Sequence, residues 1–212
     1  MEINWLGHSC FRLKGSRATV ITDPYSQDIG YSLGKVTANV VTVSHQHPGH
    51  SDVSQIGGEP KAVTGPGEYE ISGVLIIGMP SYHDENRGEK RGKNTIYLME
   101  FDEITICHLG DLGHSLSTNQ AEELDNVDIL LLPVGGFYTI DAKVATEVCN
   151  QLKPRVIIPM HYKTEKGLAG ISGVEGFLSG KASVSRPDSS QAEFKPGELP
   201  ATVQIIVLKP AL

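Results

Sequence analysis

Cysteine is scarce and unpaired in this 212-residue chain. Cys10, Cys107 and Cys149 lie far apart and form no CxxC pair, which excludes a disulfide-framed scaffold and a cysteine-built zinc site and leaves reduced, mostly buried thiols. Long apolar runs are missing too. No stretch approaches the ~20 residues that a membrane span needs, and Met1-Glu2-Ile3-Asn4-Trp5 has neither the basic nor the apolar segment of a secretory signal. The cytoplasm is therefore the expected compartment, with no membrane partner. Nor is there a basic excess. Eighteen Lys and Arg stand against 25 Asp and Glu, a formal net charge of -7 and a pI near 5.6, so no nucleic-acid partner is expected. Linkers, repeats and low-complexity segments are absent as well. At 39% hydrophobic content the chain can bury a substantial core, and residues 1–212 read as one domain.

What is present begins as strands. Glu2 to Leu6, Ser9 to Lys14, Ala18 to Thr22 and Val40 to Ser44 are short apolar or alternating runs broken by Gly or Pro. Ser72-Gly73 and Asp102-Glu103 mark hairpins between Glu68 to Ile71 and Val74 to Met79, and between Asn94 to Phe101 and Ile104 to His108. The period then lengthens. Ser117 opens a helix to Leu124 and Asp141 caps one to Leu152, with strands at Asp128 to Leu132 and Arg155 to Met160. A short helix over Gly176 to Leu178 and a strand over Val203 to Leu208 close the chain. A β-rich half followed by alternating helices and strands predicts sheets covered by helices, an α/β or α+β architecture.

The chemistry sits where strands stop. Straight after the apolar run Val40 to Ser44, the loop His45-Gln46-His47-Pro48-Gly49-His50 places three imidazoles within six residues. Neutral imidazole is the commonest protein metal ligand, and a tight Pro-Gly turn can converge several on one point. His83 follows the strand ending near Met79, Asp111 follows Ile104 to His108 within HLGDLGH, and His161 follows Val156 to Met160 within PMHY. Singly each is weak evidence; four strand ends carrying metal-competent groups form a constellation. His108, inside its strand, reads as packed.

NWLGHSCFRL and the TDP after it, SHQHPGH, the His of PSYHD, the GD of HLGDLGH, LLPVGG and VIIPMHYKT occur in this order over nearly the whole chain. In them the chain resembles the metallo-β-lactamase superfamily, and within it the small branch of ascorbate-6-phosphate-lactonase-like metal-dependent hydrolases. The resemblance implies a four-layer αββα sandwich with one or two metal ions at the edge of the sheets, usually zinc, with manganese or iron as alternatives. Carried over by position, it implies that His45, His47 and His83 hold one ion, that His50 and His161 hold the other, and that Asp111 bridges them. One departure stands out. The family's loop is HxHxDH, and its Asp position is Gly49 here, which cannot coordinate; a weaker or more exchangeable second ion is expected. Asp52, two residues past His50, is expected to cap a helix rather than replace that ligand.

The reaction so implied is hydrolysis of a small ester, lactone or phosphoester, since a bound metal lowers the pKa of water from ~15.7 towards ~7. The rival reading, prompted by Gly49, is a degenerate member that binds metal for structure or sensing with little turnover. Asp111 and His114, three residues further on, are the candidate catalytic groups, His114 as a proton donor weighed against a surface role. Arg87, in the charged loop after His83, and Tyr138, in the glycine-rich loop after LLPV, are candidate contacts to a small, possibly anionic substrate; homo-oligomerisation stays open. His8, in LGHSC, reads either as an orienting partner of a ligand or as a loop hydrogen bond.

Overall fold

The computed structural model describes residues 1–167 and 169–211. In chain order the strands are β1 (Glu2–Gly7), β2 (Cys10–Lys14), β3 (Thr19–Thr22), β4 (Val36–Thr37), β5 (Val40–Thr42), β6 (Ile56–Gly57), β7 (Lys61–Val63), β8 (Gly67–Ile71), β9 (Val74–Tyr82), β10 (Lys93–Phe101), β11 (Ile104–His108), β12 (Ile129–Pro133), β13 (Val156–Met160), β14 (Val184–Ser185), β15 (Gln191–Glu193) and β16 (Gln204–Ile206). Three α-helices accompany them: α1 (Thr118–Glu123), α2 (Ala142–Leu152) and α3 (Glu175–Leu178). One sheet has the order β15-β1-β2-β3-β5-β7 and the other β14-β16-β13-β12-β11-β10-β9-β8; β4 and β6 pair by themselves.

The two large sheets share one core. Ile3, Trp5, Phe11, Leu13, Val20 and Val40 of the first sheet pack with Ile76, Met99, Ile106, Ile129 and Ile158 of the second, all at or near zero exposure. Their chain neighbours Leu6, Ile21 and Val41 point the other way, into a smaller cluster with Tyr25, Ile29 and Tyr31, the period-two alternation of a strand buried on both faces. Over the second sheet lie true helices. The α1 turn is closed by a capping box, in which Ser117 Oγ accepts from Gln120 N at 3.2 Å and Gln120 Oε1 accepts from Ser117 N at 3.1 Å. Asp141 caps α2 by accepting from the backbone of Lys143 and Val144, and the helix buries Ala145, Val148 and Leu152. The outer layer of the first sheet is thin. It consists of loops, the β4–β6 pair and two single 3₁₀ turns at Gln27–Ile29 and Val53–Gln55, because Pro24, Gly30 and Gly34 interrupt any helical run there. Asp52 does precede the second turn, but it makes no cap hydrogen bond; its carboxylate takes the Ser54 hydroxyl instead.

Strand direction decides where the chemistry goes. β1 is antiparallel to β2 and β2 to β3, while β3 and β5 are parallel, so β1, β3 and β5 all finish at one edge. By the same count β9, β11, β12 and β13 run alike. The loops after these strands meet along one rim, the usual ligand position at the carboxyl ends of strands. Among the described residues, no helix is long and apolar enough to cross a membrane.

Candidate metal centre

Six strand ends deliver the centre: His8 follows β1, Asp23 follows β3, His45, His47 and His50 follow β5, His83 follows β9, Asp111 follows β11 and His161 follows β13. Asp111 is the hub. Its Oδ2 lies 3.2 Å from His50 Nε2, 3.2 Å from His83 Nε2 and 3.3 Å from His161 Nε2, and the carboxylate is buried. Four donors held at ~2.1 Å around a tetrahedral ion stand ~3.4 Å apart, so these separations fit atoms around an ion as well as direct ion pairs. Ligand atoms also gather within 4.8 Å of one another in the sets His45/His83/Asp111, His45/His47/His50 and His8/His50/His161.

The ring orientations are fixed from behind. Asp23, fully buried, accepts from His50 Nδ1 at 2.9 Å, from Ser44 Oγ at 2.6 Å and from Ser44 N at 2.8 Å. Because that carboxylate takes the Nδ1 proton, His50 turns its Nε2 lone pair towards the Asp111 oxygen. Two acceptors so placed need a cation or a proton between them. In protonation terms, burial disfavours charge on His50, yet Asp111 and Asp23 outweigh it and push its pKa up to about 10. Ser44 relays the same support, since His45 Nδ1 lies 3.0 Å from its Oγ; burial and then His50 push His45 down to about 3, leaving it neutral. Burial works against the charge on Asp111 as well, but His161 and His50 hold its carboxyl well below the usual range. Such carboxylate–histidine pairs behind a cluster orient metal ligands and raise their basicity.

Asp111 is braced too. Asn94 Oδ1 accepts from Asp111 N at 3.0 Å, Asn94 Nδ2 donates to Leu109 O at 2.9 Å, and Ser9 Oγ donates to Asp111 Oδ1 at 3.3 Å. Gly110 between them has φ +56°, and a Cβ there would stand 2.4 Å from Asn94 Oδ1 and 2.6 Å from Ser44 Cβ; the loop closes on the site only because this residue has no side chain. His108 donates from Nε2 to Ser9 O at 2.9 Å and accepts at Nδ1 from Gly110 N. It is packed, as expected, and supports the turn that carries His8.

A family model described as the β-lactamase superfamily domain matches residues 2–161. The chain belongs to that superfamily. A UPF0173 metal-dependent hydrolase of Thermococcus kodakarensis is 28% identical over 77% of this chain and 85% of its own length, and one of Pyrococcus horikoshii is 26% identical over the same shares. Among solved structures, a candidate Zn-dependent hydrolase of the metallo-β-lactamase superfamily from Thermotoga maritima is 39% identical, covering 98% of this chain and 97% of that one with a TM-score of 0.83.

Of the superfamily ligand positions, His45, His47, His50, His83, Asp111 and His161 all reach the rim, whereas the other expectations divide. His114 does not join them: its Nδ1 donates to Ser115 O at 2.8 Å and its Nε2 accepts from Tyr82 N at 3.2 Å, so it fastens two backbone segments rather than serving as a proton donor. Arg87 is exposed at the loop apex, in a left-handed turn. Arg91, in the same loop, lies against the aromatic pair, with its guanidinium 5.5 Å from the Tyr138 ring centre and 6.0 Å from that of Phe137. The loop holding Arg91 is tied by buried Asp84, which accepts from the backbone N–H groups of Asn86, Gly88, Lys90 and Arg91. A cleft of about 590 Å³ beside the rim is lined by His45, Gln46, Tyr82, Arg91 and Lys93. A hollow of about 700 Å³ near Thr146, Cys149 and Lys181 lies behind α2, away from the histidines. Asp23, Ser44 and Asn94 were not legible as site residues. The TDP triplet was visible, but the function of Asp23 depends on a His 27 positions later.

Proposed function

We propose that this protein is a metal-dependent hydrolase acting on a small anionic ester, lactone or phosphoester. The reading rests on the convergence of three histidine Nε2 atoms within 3.3 Å of one buried carboxylate oxygen, with Asp23 directing one of those lone pairs inward. The donor set fits a metal. Imidazole-rich sites suit zinc or iron better than manganese, and His45, His47, His50, His83 and His161 with Asp111 would hold one or two ions. When bound, such an ion supplies Lewis acidity and acidifies water from ~15.7 towards ~7.

The protein's own groups do the rest. Asp111 faces both sides of the cluster and compensates positive charge there; Asn94 and Ser9 keep it from rotating. Asp23 holds His50 directly and His45 through Ser44. His47, exposed at the mouth, leaves the open side of the cluster accessible from solvent. Arg91 and Lys93, on the cleft that runs up to His45, offer cationic contacts to a carboxylate or phosphate of the substrate, and Tyr138 fixes the Arg91 guanidinium by its ring.

Elemental analysis of chelator-free protein, paired with a panel of lactones and phosphoesters, tests the assignment. Metal-dependent turnover is expected, and bound metal without turnover on any member would return the degenerate, structural reading. Arg91→Glu should raise KM for anionic substrates ~10-fold, about 1.4 kcal/mol, while leaving neutral esters unchanged. An equal effect on both classes would place Arg91 outside substrate binding.

A further inference from the structure

We propose that His8 is itself a metal ligand, taking in space the place that the family's loop aspartate would take from position 49. The inference rests on the centre holding metal, and it concerns the buried side, where His50 and His161 meet Asp111.

His8 Nε2 lies 3.0 Å from His50 Nε2, and the two rings, with that of His161, form a tight trio: His8 is 4.7 Å from His50 and 4.4 Å from His161 between ring centres. A ligand nitrogen of each falls within 4.8 Å of the others. All three are buried, His8 at 4% exposure, so solvent does not serve that nitrogen. Aside from His50, no partner for His8 Nε2 exists among the described residues.

Gly49 supplies the independent observation. A Cβ built there would stand 3.2 Å from His8 Nε2, 3.1 Å from His47 Nδ1 and 3.3 Å from Ile29 Cδ1. An aspartate side chain leaving position 49 would start in tight contact with the His8 imidazole, one of the two having to give by a few tenths of an ångström. The carboxylate is missing, and the imidazole lies next to the position from which it would come. With that imidazole, each side of the centre has three, His45, His47 and His83 on one and His8, His50 and His161 on the other, with Asp111 between them.

The backbone carries the ring to that point. β1 and β2 are joined through His8 and Ser9, with Gly7 at φ +105° and His8 at φ +53°. A left-handed histidine costs about 1 kcal/mol or more. The turn is held regardless, because the His8 carbonyl accepts from both Trp5 Nε1 at 3.0 Å and His161 N at 3.2 Å. The second of these bonds ties His8 to another member of the trio.

With neutral His50 giving its one proton from Nδ1 to Asp23, a plain His8–His50 hydrogen bond needs a proton on His8 Nε2, whereas a ligand nitrogen carries none. In wild-type protein labelled with ¹⁵N-histidine and loaded with ¹¹³Cd, His8 Nε2 should show scalar coupling to cadmium. Two bound ions with a proton on His8 Nε2 would overturn the proposal, and no bound ion at all would overturn the metal reading beneath it. Equilibrium dialysis with elemental counting gives the second arm. His8→Ala should drop from two ions per chain to one, weakening the lost ion by at least ~100-fold, the upper end of what losing a supporting partner costs. Adding Gly49→Asp to that variant should restore the second ion, since the imidazole no longer crowds the carboxylate. If His8 only props the turn, the added aspartate leaves the deficit unchanged, and the proposal falls.

Discussion

The two sides of the centre are built from similar side chains in opposite surroundings. On the inner side His8, His50 and His161 are all under 5% exposed, and the loops of His8 and His161 are pinned together by one backbone bond, from His161 N to His8 O. On the outer side His47 is exposed, His45 is half-buried, and the cleft with Arg91 and Lys93 opens directly onto them. The contrast separates two tasks. The inner side is preorganised and dry, which strengthens every electrostatic interaction made there. The outer side gives up that protection for access. Two carboxylates link them, Asp111 from between and Asp23 from behind, and substitutions at these residues either abolish the contrast or sharpen it.

Asp111→Ala removes the group shared by both sides and leaves His50, His83 and His161 facing one another. Bound metal should be lost and turnover should fall at least ~1,000-fold, about 4 kcal/mol of barrier; elemental analysis and steady-state rates read it. Retention of one ion by this variant would mean that the sides are less interdependent than the geometry implies. Asp23→Asn is a finer instrument, because an amide offers one acceptor oxygen to three donors, His50 Nδ1, Ser44 Oγ and Ser44 N. Metal affinity should weaken by ~10–100-fold in chelator competition. The inner ion should suffer more than the outer, since His50 is held directly and His45 only through Ser44. Equal weakening would contradict that ranking.

The smallest effect concerns pH. Burial lowers the pKa of His108 below its ordinary 6.5, so this ring stays neutral in the fold while the unfolded chain takes up a proton below about 6.5. Between the two values the unfolded state binds more protons, and stability therefore rises with pH. Its contribution is intact above pH 6.5 and is lost progressively as pH falls below that. Denaturant unfolding at pH 7.5 and 5.0 should show this loss, and His108→Gln should reduce the difference between the two pH values even though the variant is weaker overall.

Much of this arrangement was legible in the chain because apolar runs and polar strand ends leave separate marks. Val40 to Ser44 followed by three histidines announces both a strand and its chemistry, and Ile104 to His108 followed by Gly110 and Asp111 does the same. β7 and β15 left no such mark. Lys61–Val63 and Gln191–Glu193 are three residues long, too short to show a period, and they become strands only by pairing with β5 and β1. The fold class was legible through the resemblance, whereas the thinness of the layer over the first sheet follows from Pro24, Gly30 and Gly34. At the site, the histidines and Asp111 that follow apolar strands were foreseeable as metal-competent groups. Asp23 and Asn94 act on partners distant in sequence, and His8 sits in a turn where a lone histidine has many explanations. His114 misled for the converse reason: its spacing from Asp111 suggested the cluster, while the backbone of Tyr82 and Ser115 claimed its ring.

The bond from His161 N to the His8 carbonyl has a consequence for the order of assembly. The centre draws on loops from residue 8 to residue 161, and the strand that delivers His161 pairs with β16, near the chain's end. During synthesis at ~5–20 residues per second, the first histidine emerges well before its last neighbour exists. Closing contacts of such sequence separation is slow, so the full set of groups from residue 8 to residue 161 comes together only once strands of both sheets are in place.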